Sequence, residues 1–150
     1  MKKLTLLIFL LLISNFIHAE EIKLSCDIKF VRTNILSGET SNTSLKLIYE
    51  ITQHSDGTIF ITSSSYGYAP SVSSNKGAEL ISVENFSNEN KWHIRNITNS
   101  KFDATYDKEV LIDRNTGLIR ISSTFTSKMG IQETIGDGIC EKVNLTKKKF

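Results

Sequence analysis

Of the 150 residues, 18 are Lys or Arg and 16 are Asp or Glu, and the formal charge of +2 is accounted for by Lys2 and Lys3 at the N-terminus. The rest of the chain is close to neutral, which argues against a general electrostatic affinity for nucleic acid, because that needs a basic face. Its length is that of one domain, large enough to bury a core and small enough to gain from a covalent tie.

Lys2 and Lys3 precede an apolar run from Leu4 to Ile13 broken only by Thr5, and the more polar Ser14–Ala19 follows. This is the order of charged, apolar and cleavage regions in a secretory signal. The run is too short for a bilayer, which takes about 20 apolar residues, and Glu20, Glu21 and Lys23 come directly after it. Residues 1–19 are therefore expected to direct export and to be removed after Ala19. That leaves residues 20–150 as a single domain, periplasmic or secreted, without a membrane anchor. Cys26 lies beyond Lys23, Leu24 and Ser25, too far from the cut to carry a lipid.

Cys26 and Cys140 are the two cysteines of the chain. Export places them where disulfides persist, and a bond between them requires Cα atoms within about 7 Å. The first and last strands are thus expected to lie side by side. Two ligands alone make a poor zinc site, so no metal is expected.

Alternation with period two runs along the chain, the signal of half-buried strands. In Glu21–Val31, Ile22, Leu24, Cys26, Ile28 and Phe30 alternate with polar residues, which points Cys26 inward. After the polar Ser37–Asn42, a second strand is predicted over Leu45–Ile51. Asp56-Gly57 marks a hairpin turn, because both residues tolerate positive φ, and Thr58–Ser63 returns as the third strand. Ser63–Gly77, rich in Ser and Gly and holding Pro70, Tyr66 and Tyr68, is predicted to be a loop. Strands resume over Ala78–Phe86 and Lys91–Ile97, where Trp92, Ile94 and Asn96 share a face. Lys101–Tyr106, Glu109–Asp113, Leu118–Phe125 and Gly138–Leu145 complete the series, with Arg114–Gly117 as a connection whose glycine suits a left-handed position. The stretch has no convincing amphipathic helix.

Eight or nine short antiparallel strands predict an all-β fold, either an up-and-down barrel of about eight strands or a β-sandwich. The cysteine pair favours the barrel, since closure makes the terminal strands neighbours. A barrel inside an outer membrane is disfavoured, because the outward positions of the first strands are Lys, Asp and Glu and Lys147–Lys149 immediately precedes Phe150.

No catalytic constellation is found, and no residue set calls for a cofactor. Gly-x-Ser-x-Gly, His-Glu-x-x-His and a Gly-rich phosphate loop are missing. His54-Ser55-Asp56 are neighbours in a predicted turn, whereas a triad is assembled in space from separate segments. His93 is expected to face the surface, and Asp103, Asp107 and Asp113 to serve turns. Asn-x-Ser/Thr sequons occur at Asn42, Asn85, Asn96 and Asn144, as this composition produces without any role for them.

Asp113-Arg114-Asn115-Thr116-Gly117 and Gly138-Ile139-Cys140-Glu141-Lys142 resemble a loose group of uncharacterised small exported bacterial proteins that combine an Arg-x-Thr-Gly hairpin with a terminal Gly-x-Cys. The resemblance covers some ten residues. It implies export and a lipocalin-like barrel, and it brings no activity. Ser64-Ser65-Tyr66-Gly67-Tyr68 with Lys76-Gly77-Ala78-Glu79-Leu80 also looks like the loop of periplasmic C-type lysozyme inhibitors, whose serine and lysine enter the lysozyme cleft. That resemblance would give Ser64 and Lys76 the contact roles, with Ser65, Tyr66 and Tyr68 beside them, although Ser65 stands where that motif has glycine. The expected function is a non-enzymatic binding or structural role. Alternatives are inhibition of a cell-wall hydrolase by a protein contact through residues 63–77, and carriage of a small ligand in the barrel interior.

Overall fold

A computed structural model describes residues 20–64, 78–100 and 103–143 of the protein. The leader expected over 1–19, Ser65–Gly77, Lys101 and Phe102, and the tail from Asn144 onward lie outside the described residues. The alternation of Ile22, Leu24, Cys26, Ile28 and Phe30 becomes strand β1 (Glu20–Asn34), with all five side chains buried. Seven strands follow: β2 (Thr40–Gln53), β3 (Ile59–Ser63), β4 (Ala78–Asn85), β5 (Lys91–Ser100), β6 (Ala104–Asp113), β7 (Leu118–Ser127) and β8 (Gly130–Lys142).

All pairings are antiparallel, and the order across the sheet is β3-β2-β1-β8-β7-β6-β5-β4. This is an up-and-down meander curled into a nearly closed barrel. The expected contact of first and last strands is present: Cys26 stands opposite Cys140 in the β1–β8 ladder, and the two are joined by a disulfide. Among the described residues no ladder joins β3 to β4, so the seam of the barrel lies there rather than at the chain termini. Across it the Asn85 amide donates to the Gly57 carbonyl at 3.5 Å.

The interior is packed at one end. Ile51, Ile61 and Ile112 are fully buried, with Trp92, Ile94, Val110, Ile119 and Ile121 beside them, and each such isoleucine contributes about 1.5–3 kcal/mol relative to exposure. Arg114, in the β6–β7 turn, lies over the Trp92 ring at 4.7 Å and caps this end. Trp92 fills this end of the interior, Phe125 faces inward at the opposite end, and Phe60 points out.

Several predicted boundaries are corrected. Lys101–Tyr106 and Glu109–Asp113 are not two strands, because Ala104–Asp113 runs unbroken as β6. Thr40–Ser44, placed largely in a polar connection, pairs with Lys29–Thr33 of β1. The last strand begins at Gly130, eight residues before the predicted start. Asp107 serves no turn; it sits inside β6 and grips Arg95 with two hydrogen bonds, 2.9 and 2.6 Å long. Asn96 is 5% exposed, so its sequon is closed to a glycan in the folded barrel.

The turns follow their residue chemistry. The Asp56 carboxylate accepts the Thr58 N–H at 2.8 Å, and Gly57 takes φ +84°. In the β6–β7 turn Asp113 Oδ1 accepts the N–H groups of Asn115 and Thr116 at 2.9 and 2.8 Å, while Gly117 takes φ +74°. Those donors hold the Asp113 carboxyl below its ordinary value. A carboxylate with a lowered folded pKa stabilises above its unfolded pKa and loses that contribution as pH falls through the folded value. Thermal melts taken from about pH 5 down to about pH 2 should therefore show part of the acid destabilisation vanish in Asp113→Ala, which starts from a lower Tm.

Candidate ligand-binding site at the barrel mouth

The ladders align inward-facing side chains in rows that run round the wall. Ile94, Val110, Ile121, Gly136 and Phe30 stand opposite one another across β5, β6, β7, β8 and β1. This row is apolar and dry. Gly136 leaves room for the Phe30 ring, which a Cβ at that position would meet at 2.4 Å. The next row toward the open end, two residues along each strand, reads Asn96, Lys108, Ser123, Thr134 and Arg32. The outermost row is Thr98, Tyr106, Phe125, Gln132 and Asn34. Within one step along the strands the interior changes from hydrocarbon to polar and cationic.

Arg32, Tyr106, Lys108, Ser123, Phe125, Gln132 and Thr134 enclose a cleft of about 300 Å³ at this mouth. Tyr106 and Phe125 form its aromatic wall, their ring centroids 4.7 Å apart and tilted by 38°. The Lys108 ammonium lies 5.7 Å from the centroid of the Tyr106 ring. Burial pushes the Lys108 pKa below its ordinary value, because desolvation penalises the charged form. No carboxylate lines the cleft, and among the described residues neither Lys108 nor Arg32 has an acidic partner. Asn96, next to Lys108 in the row, buries an Oδ1 that has no hydrogen-bond partner.

Strand alternation explains this imbalance. The acids on either side of Lys108 point to the outer face, where Asp107 binds Arg95 and Glu109 binds His93 and, at 3.2 Å, the Ser122 hydroxyl. His93 is on the outer face of β5, but it is not open to the surface: Phe86 packs on its ring, centroids 5.1 Å apart, and its side chain is 15% exposed. The Ser122 hydroxyl donates to the Glu109 carboxylate and not to the His93 imidazole, so the three are not arranged as a Ser-His-acid relay. Among the described residues no group of three His, Cys, Asp or Glu side chains could hold a metal ion.

Of the residues predicted to meet a protein partner, Ser65, Tyr66, Tyr68 and Lys76 lie outside the described residues. Ser64 is exposed at the end of β3 and is tied to β2: its hydroxyl accepts the Ile48 N–H at 3.0 Å, and its own N–H donates to the Ile48 carbonyl at 2.8 Å. A second cleft, about 440 Å³, lies along the β3–β4 seam between Ile59, Phe60, Val83 and Asn85. It is mainly apolar and brings no cation to a ligand. In the sequence Arg32 and Lys108 are single charges in polar stretches; their signal is positional and emerges only when the register is known. No protein-family model matches the chain, and neither a curated protein nor a solved structure shows a significant match to it.

Proposed function

We propose that the protein is an exported, non-enzymatic binding protein that takes a small ligand into the polar mouth of its barrel. The observation that carries this reading is the inward row of Arg32, Thr134, Ser123 and Lys108, two cations without acids above an apolar floor. An unpaired ammonium partly withdrawn from water costs stability. A position that breaks the packing rules at its own expense is expected where function demands it. Export is supported by the Cys26–Cys140 disulfide, a bond that persists in oxidising compartments. An aqueous outer face is supported by ion pairs across β1 and β2, Lys23 with Glu50 at 2.6 Å and Lys46 with Asp27 at 3.7 Å.

The test is a thermal-shift screen of small anions, cations and neutral molecules against the wild type and Lys108→Met. A ligand present at 100 times its Kd adds about 2.7 kcal/mol, so at least one anion should raise the wild-type Tm by several degrees and leave the variant unmoved. In the absence of ligand, Lys108→Met should melt at or above the wild-type temperature, because it removes a desolvated charge and keeps the volume. Binding indifferent to Lys108, or a marked loss of stability in Lys108→Met, would count against the mouth as the site. Inhibition of lysozyme that Ser64→Ala and Lys76→Ala abolish would support the hydrolase-inhibitor reading instead.

A further inference from the structure

Resting on the reading of the mouth as a ligand site, we propose that the ligand is a compact aromatic carboxylate, its anionic group held between Arg32 and Lys108 and its ring laid against Tyr106 and Phe125. Sign comes first: two cations face a cleft lined by no acid, so a neutral or cationic ligand leaves them uncompensated. Arg32 and Lys108 lie three strands apart in one row, about 14 Å round the wall at the usual strand spacing. Both side chains are long enough to reach toward one ligand, and both line the same cleft as Ser123 and Thr134. A guanidinium fork on one side and an ammonium on the other match the two oxygens of a carboxylate, with two hydroxyls between them to donate.

The rest of the ligand is specified by the wall and the floor. The tilted Tyr106–Phe125 pair offers ring faces on which a planar aromatic group gains offset or edge contacts. A volume of about 300 Å³ is at the small end for ligand sites. Below it the barrel is plugged by Phe30, Ile94, Val110 and Ile121, all buried, so a long acyl chain has no shaft to enter. An inorganic anion would leave the aromatic wall unused.

Isothermal titration of the protein with naphthoate, the neutral naphthalene methanol, inorganic phosphate and laurate tests this. Naphthoate should bind, the neutral analogue about tenfold or more weaker, because a charge-assisted pair is lost, and phosphate and laurate weaker still. Arg32→Ala and Lys108→Met should each lower naphthoate affinity about tenfold or more. Arg120→Ala, which removes an outer-face cation paired with Asp137, should leave it unchanged. Laurate or phosphate binding more tightly than naphthoate, or naphthoate binding unchanged in Arg32→Ala and Lys108→Met, would overturn the proposal. If naphthoate fails while another molecule gives a Lys108-dependent thermal shift, the ligand class is wrong and the mouth remains the site. If neither occurs, both readings fall.

Discussion

Gly138→Ala is expected to prevent the protein from folding. Gly138 stands opposite Ile28 where β8 passes β1, and a Cβ there would lie 2.2 Å from the Asp27 carbonyl oxygen and 2.9 Å from the Ile28 Cα. Both are backbone atoms, so relief requires the two strands to part. Among the described residues the β1–β8 ladder is the one strand pairing that joins β3-β2-β1 to β8-β7-β6-β5-β4, and separating it opens the core along its length. A cost above about 4 kcal/mol follows, a large fraction of the 5–15 kcal/mol that holds an ordinary domain together. Gly38→Ala provides the contrast. That residue takes φ +69° in an open turn with nothing within 4 Å of the added Cβ, so the loss should stay near 1 kcal/mol. Circular dichroism melts of the two variants measure the difference; a Gly138→Ala protein as stable as Gly38→Ala would mean that β8 does not approach β1 so closely.

Removing the disulfide has the second largest expected effect. Cys26 and Cys140 are separated by 114 residues and face each other across the same ladder. Closing so long a loop restricts the unfolded chain, and Cys26→Ser with Cys140→Ser should lower stability by roughly 3–5 kcal/mol on the loop-entropy account. The fold itself should survive near room temperature, because the ladder continues from Leu24 opposite Lys142 to Asn34 opposite Gln132 without needing the bond. Urea unfolding of oxidised and reduced wild type, alongside the double variant, checks this. Equal midpoints for oxidised and reduced protein would show that the bond constrains nothing.

The architecture was legible wherever inward residues are apolar and outward ones polar. Strand β1 has that pattern across Ile22–Phe30, and the cysteine pair then brought the terminal strands together. Legibility failed around the mouth, for a reason that is itself part of the site. Lys108 faces inward, so Asp107-Lys108 carries no apolar residue and reads as a break in what is one strand, β6. At the start of β8 the pattern is inverted. Gln132, Thr134, Gly136 and Gly138 stand opposite the inward residues of β1, while Ile131, Ile135 and Ile139 are exposed, the last by 52%. A rule that puts hydrophobic residues inside skips such a strand, and the four-residue spacing of its three isoleucines fits a helix face as well as a strand face. The candidate site was hidden for the same cause. Arg32, Lys108, Ser123 and Thr134 come from four strands, and only the register brings them into one row.

The most direct test of the mouth as an anion site is an amide NMR titration of the protein with naphthoate. The shifts should concentrate at Arg32, Tyr106, Lys108, Ser123, Phe125 and Thr134 and spare the closed end around Trp92 and Arg114. Shifts confined to that closed end, or to Ile59, Phe60 and Val83 along the seam, would contradict the account.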